Sequence, residues 1–159
     1  QHLLWAIKKN NSLVRDKKNI YICKQNKKLS SDMNSDFRKQ FDYESRCNES
    51  ARIREKYTSR VPIIVHRSPY EKDIPAINRR KFLVPDDLTM AQFMYVLRRR
   101  IELPSEKSMF LFVGDSIDKS KRNSGALVPT SRTIGQIDHQ YRDTGGFVYI
   151  MYAGESTFG

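Results

Sequence analysis

The run Phe147-Val-Tyr-Ile-Met-Tyr152 constrains this chain more than any other feature: six apolar or aromatic residues, released from the Gly145-Gly146 pair and followed by a short polar tail. A strand with one face in water alternates apolar and polar side chains, so a run without alternation is a strand covered on both faces. The rest of the chain has to supply that cover.

Two capping boxes mark helices that can do so. Thr89-Met-Ala-Gln92 opens one with Met90, Phe93, Met94, Leu97 and Ile101 at helical spacing, halted by Pro104. Thr133-Ile-Gly-Gln136 opens a shorter one with Ile134, Ile137 and Tyr141 on one face. Earlier, Asp36 and Asp42 are placed to cap helices over Phe37 to Gln40 and Tyr43 to Tyr57. Arg60 to Arg67 is β-branched and reads as a strand, with Pro62 removing one ladder donor. Lys81 to Val84 is a second strand stopped by Pro85, Met109 to Val113 a third, and Gly114 to Arg132 a long polar loop. The predicted class is α+β: a four-stranded mixed sheet with one crossing helix, preceded by a helical pair. Residues 1–36 form an extension, 37–58 the helical pair, 59–152 the sheet domain and 153–159 a flexible tail.

With 159 residues and 38% hydrophobic content, one core is expected. No apolar run is long enough to cross a bilayer and no leader opens the chain, so a soluble intracellular protein is expected; the missing initiator methionine suggests that Gln1 lies inside a longer chain. Cys23 and Cys47 show no metal-ligand spacing with His2, His66 or His139 and read as reduced thiols. No enzyme signature, cofactor motif or metal site is found. The net charge of +11 attracts anions without selecting among nucleic acid, acidic lipid and acidic peptide. Residues 1–36 hold eight basic residues against three acidic, a net +5. Their apolar residues cluster in Leu3 to Ile7 and Ile20 to Cys23 without a sustained period, so weak order is expected, with one short helix near Leu3 to Ile7.

A strand that ends in a flexible arm tipped by glycine offers a carboxylate that other enzymes can reach, because a residue without Cβ enters narrow channels. Gly159 is therefore the candidate reactive group.

The motifs Arg54-Glu-Lys-Tyr57 with Arg60-Val-Pro-Ile-Ile-Val65, Lys81-Phe-Leu-Val-Pro85 with Leu88-Thr, Gln92-Phe93 and Arg98-Arg-Arg100, and Gly146-Phe-Val-Tyr149 with Glu155-Ser-Thr-Phe-Gly159 resemble, in consistent order, the autophagy ubiquitin-like modifiers of the GABARAP type. The resemblance covers about Phe37 to Gly159; residues 1–36 and the loop through Asp118 to Val128 exceed the family's usual length. It implies a ubiquitin-like β-grasp with two added N-terminal helices, monomeric before conjugation. A cysteine protease would expose Gly159, and activating and conjugating enzymes would join it to phosphatidylethanolamine, in the cytoplasm and then on autophagosomal membrane. Phe158 matches the aromatic before the glycine, and Arg98 a protease-contact position, although an arginine there also suits the helix dipole.

Family partners are cargo receptors whose acidic peptides carry an aromatic residue and, three positions on, Leu, Ile or Val. In a strand that odd separation sends the two side chains to opposite faces, as Lys81 and Leu83 oppose Phe82 and Val84. Residue matching assigns Glu49, Ile53, Pro62, Lys81, Leu83 and Phe147 to the aromatic's pocket. Phe82, Val84, Pro85, Leu88, Phe93 and Val96 match the aliphatic pocket, and Arg60, Arg79 and Arg80 would steer acidic residues. For Ile53, Leu83 and Phe93, plain core packing is an equally good account. This reading needs an open edge at Lys81 to Val84.

Two other readings stay open: a modifier of protein lysines or non-conjugated docking module, and a basic nucleic-acid binder. The last is disfavoured because Trp5 and Tyr21 are not interleaved with the basic residues. For residues 1–36 the choices are an anionic membrane surface, a fold back over the peptide edge, or a spacer; membrane contact is preferred. Mimicry of a partner is disfavoured, since Lys8 stands three positions after Trp5 where an aliphatic residue is needed.

Overall fold

The computed structural model describes residues 13–15 and 21–23 as backbone, and residues 37–114 and 125–155 in full. Short strands β1 (Leu13–Arg15) and β2 (Tyr21–Cys23) precede helices α1 (Phe37–Gln40) and α2 (Tyr43–Lys56). Then follow β3 (Arg60–Arg67), β4 (Lys81–Pro85), α3 (Met90–Ile101), β5 (Phe110–Val113), β6 (Ala126–Leu127), α4 (Ile134–Tyr141) and β7 (Val148–Ala153). The class is α+β, as the sequence predicts. Among the described residues the sheet has seven strands rather than four, in the order β1-β2-β4-β3-β7-β5-β6.

β7 lies between β3, its parallel partner, and β5, its antiparallel one. All six of its residues are buried, which accounts for its unbroken apolarity. It begins at Val148 rather than Phe147 because Phe147 belongs to the preceding turn: its amide donates to Asp143 Oδ1 at 3.0 Å and its carbonyl accepts from the Asp143 amide at 3.0 Å. Gly146 in that turn has φ +91, and a Cβ there would collide with Ser50 of α2. Pro62 is tolerated in a central strand because the β7 register starts one residue later, at Ile63↔Val148.

Both capping boxes form, with Thr89 accepting from the Gln92 amide and Thr133 from the Gln136 amide. The two helix starts are also joined. Thr89 and Thr133 form a β-bridge, the Ile134 amide donates to Leu88 O at 2.7 Å, and the Met90 amide donates to Arg132 O at 2.9 Å. Each segment thus satisfies donors that a helix N-terminus leaves open. The main core lies on one face of the sheet, where Phe93, Val96 and Leu97 of α3 and Ile134 and Ile137 of α4 meet Val61, Ile63, Phe82, Val84, Val148 and Ile150. On the other face Phe37, Ile53, Ile64, Leu83, Phe147 and Tyr149 form a second cluster beneath α1 and α2.

Tyr152 reaches the loop after β3, its hydroxyl accepting from the Ile77 amide and donating to Pro75 O, each at 2.8 Å. Burial pushes this phenol up to about 12. The Leu3 to Ile7 helix expectation falls outside the described residues, as does most of the Gly114 to Arg132 loop, whose described end contributes β6.

Candidate functional site

The alternation of β4 feeds both clusters. Phe82 and Val84 enter the main core, with the Phe82 and Phe93 rings edge-to-face at 5.6 Å, while Leu83 enters the second cluster. Of the residues matched to the aromatic pocket, Ile53, Leu83 and Phe147 share that second cluster, and Pro62 sits opposite Leu83 in the β3–β4 register. Glu49, one turn before Ile53 on α2, and Lys81 on β4 are 7% and 6% exposed. Phe82, Val84, Leu88, Phe93 and Val96, matched to the aliphatic pocket, all belong to the main core, and Pro85 is half-buried at the end of β4.

A lysine inside an apolar strand demands a reason, and α1 supplies it. Lys81 Nζ lies 5.5 Å from the Phe37 ring centroid and 5.1 Å from that of Phe41, a cation over two aromatic faces. Phe37 is 3% exposed and packs edge-to-face on Phe147 at 5.6 Å. Sequence reasoning missed Phe37 and Phe41 as members of this site; their signal was the aromatic pair flanking a single helical turn. Tyr149 is a further member, with the Arg38 guanidinium 4.0 Å over its ring. Burial raises this phenol, against the hydrogen bond from Arg46.

The basic residues divide. Arg80 is buried, its guanidinium 5.7 Å from the Phe37 ring and donating to Gln40 of α1. Arg79 and Arg60 are half-exposed, and Arg60 Nη1 lies 3.5 Å from Leu83 O. Arg98, on the last turn of α3, donates to Pro104 O at 2.9 Å and lines an open surface cleft with Tyr95, Arg99, Lys107, Met109 and Phe110.

The open edge is where expectation and structure part. β4 pairs with β3 on one flank and antiparallel with β2 on the other, with Tyr21 opposite Leu83 and Ile22 opposite Phe82. β1 then pairs with β2. The border required to be open is occupied from within the chain. The physical reason is that a row of unpaired amides and carbonyls on an edge strand is a template for any available extended segment. Tyr21-Ile22-Cys23, rich in strand formers, supplies one.

At the far end of β7 the tail has a fixed root. Glu71 is 3% exposed and accepts from the amides of Asp73 at 2.8 Å and Ile74 at 3.0 Å, and also from the Gly154 amide. No sequence signal singled out this carboxylate. Phe158 and Gly159 lie outside the described residues. Among the described residues no group of three or more His, Cys, Asp or Glu could hold a metal ion. Cys47 is a free thiol, half-buried, with Sγ 3.8 Å from Thr144 O.

Residues 45–159 match the family model described as autophagy protein Atg8, ubiquitin-like. Autophagy-related protein 8 of Pichia angusta is 46% identical over 127 residues, 80% of this chain and 93% of the relative. That of Candida glabrata is 42% identical over 127 residues, covering 80% of this chain and 98% of its own. The crystal structure of Trypanosoma brucei ATG8 superposes with a TM-score of 0.66 at 37% identity, covering 79% of this chain and 98% of that one. Nearly the whole of these relatives is thus accounted for, while about a fifth of this chain is not matched. With its ubiquitin-like α+β fold and this match over most of its length, the chain belongs to the Atg8 family of ubiquitin-like autophagy proteins.

Proposed function

We propose that this chain is an autophagy modifier conjugated through Gly159 to phosphatidylethanolamine, and that β4 docks cargo-receptor peptides by strand addition. In this reading it works in the cytoplasm and, once lipidated, on autophagosomal membrane. A processing protease exposes Gly159; the nucleophilic cysteines belong to the activating and conjugating enzymes, and this chain supplies the acyl group. The observation that carries the docking half is the division of one strand between two apolar clusters: alternate residues of β4 lead to opposite faces, and an aromatic and an aliphatic side chain three positions apart on an added strand also point to opposite faces. The pairing of β2 with the same flank supports the capacity of this edge to accept a strand.

Incubation with Atg8-activating and Atg8-conjugating enzymes, ATP and phosphatidylethanolamine vesicles tests the conjugation half. A vesicle-dependent mobility shift that Gly159→Ala abolishes is the expected outcome. A shift that survives Gly159→Ala, or that appears on protein lysines without vesicles, would replace the lipid reading with the protein-modifier one.

A further inference from the structure

We propose that the β1–β2 hairpin is a built-in competitor: by pairing with β4 it closes the edge on which a visiting peptide would dock, so that the chain is autoinhibited until the hairpin is displaced. The inference rests on the docking reading of β4 given above. Its basis is the register Tyr21↔Leu83 and Ile22↔Phe82, with β2 itself held on its outer flank by β1 through Leu13↔Cys23, Val14↔Ile22 and Arg15↔Tyr21. In this closed arrangement Leu83, Lys81 and Glu49 are 1%, 6% and 7% exposed.

The hold is short, and that is what makes it reversible. Among the described residues two register pairs join β2 to β4, against five between β3 and β4. The strand lacks the two-anchor pattern, since Lys24 stands three residues after Tyr21 where an aliphatic residue would be needed. What joins it to β4 is main-chain pairing. Its strength comes from being tethered: only residues 24 to 36 separate β2 from α1, and a tether of that length confers an effective concentration on the order of millimolar. A free ligand sees its affinity reduced by the fraction of molecules that are open. Charge sets which ligands win. The extension carries a net +5, and Arg79 and Arg80 lead into a β4 that begins with Lys81, so an acidic peptide is attracted to this strand whereas the basic extension is not.

The test uses the full chain and its Ile22→Pro variant. β2 is paired on both flanks, so a proline at its centre removes a donor and disrupts the ladder. Ile22 lies outside residues 45–159, so the substitution changes no family-matched residue itself. Hydrogen exchange reads the amides of Phe82 to Val84, and calorimetry reads binding of a synthetic acidic peptide carrying Trp-x-x-Leu. Exchange faster by about tenfold or more in the variant, with peptide affinity raised by a comparable factor, is the expected result. Equal exchange and equal affinity in the two chains would overturn the closure while leaving the docking site intact. Faster exchange with no peptide binding to either chain would overturn the competition by removing the docking reading itself.

Discussion

Asp138 illustrates how much one carboxylate can be asked to hold. It is 6% exposed on α4 and receives both Arg54 guanidinium nitrogens, at 2.9 and 2.7 Å, from α2. Arg142, one turn on, adds bonds of 2.6 and 3.2 Å. Burial alone would raise this carboxyl, but the hydrogen bonds from Arg54 and then Arg142 outweigh it and hold it below its ordinary value. A folded value below the unfolded one means stability that is complete above about pH 4 and is lost as the pH falls through the folded value. Asp138→Asn should therefore cost about 2 kcal/mol at neutral pH, since the half-buried Arg54 is left with a weaker acceptor. In urea unfolding over a pH series the gap between the two proteins should close on acidification; a constant gap would assign the loss to packing. Neither this ion pair nor the Lys81 contact with Phe37 and Phe41 was readable from the sequence. Their partners lie far apart along the chain, and only the fold brings them together. Lys81 did announce itself as an anomaly in an apolar run, whereas Glu71 gave no such sign.

Helices were the easiest elements to read, because their signals are local: the boxes at Thr89 and Thr133 fixed both starts by hydrogen-bonding geometry within four residues. What the sequence did not reveal is that the two starts are one structure, joined by the Thr89↔Thr133 bridge and the reciprocal amide bonds. Thr89→Ala and Thr133→Ala should each cost about 1 kcal/mol. Because they share this junction, the double variant should depart from additivity by about 0.5 kcal/mol or more in a thermal-unfolding cycle. Strict additivity would mean that each cap acts only on its own helix. The long strands were also readable, from β-branching and apolar continuity. β1, β2 and β6 were not, since segments of two or three residues carry no period and exist as strands only because a neighbour pairs with them. The edge was misjudged for that reason: openness belongs to the pairing of the whole sheet, and Lys81 to Val84 read alone has no information about Tyr21.

The assembled molecule is a sheet with an apolar cluster on each face and two flanks of different character, one carrying the β1–β2 hairpin and the other ending in the two-residue β6. Peptide affinity in the opened Ile22→Pro chain should be governed by the clusters rather than the rim. Leu83→Ala placed in that background should weaken an acidic Trp-x-x-Leu peptide more than Arg79→Ala, because a half-exposed charge contributes only about 0.2–1 kcal/mol. Calorimetry giving the reverse order would make the site an electrostatic one. The net charge of +11 adds a salt-sensitive attraction for any acidic partner without choosing its register. One dimension of the molecule also bounds the proposed conjugation. The buried carboxylate of Glu71 holds the Gly154 amide, and the five residues from Glu155 to Gly159 span at most about 17 Å when fully extended. In the proposed reading, in which Gly159 is the conjugated residue, any thiol that takes it has to come inside that radius, so the footprints of successive enzymes overlap at the rim where β7 ends and the enzymes take turns there.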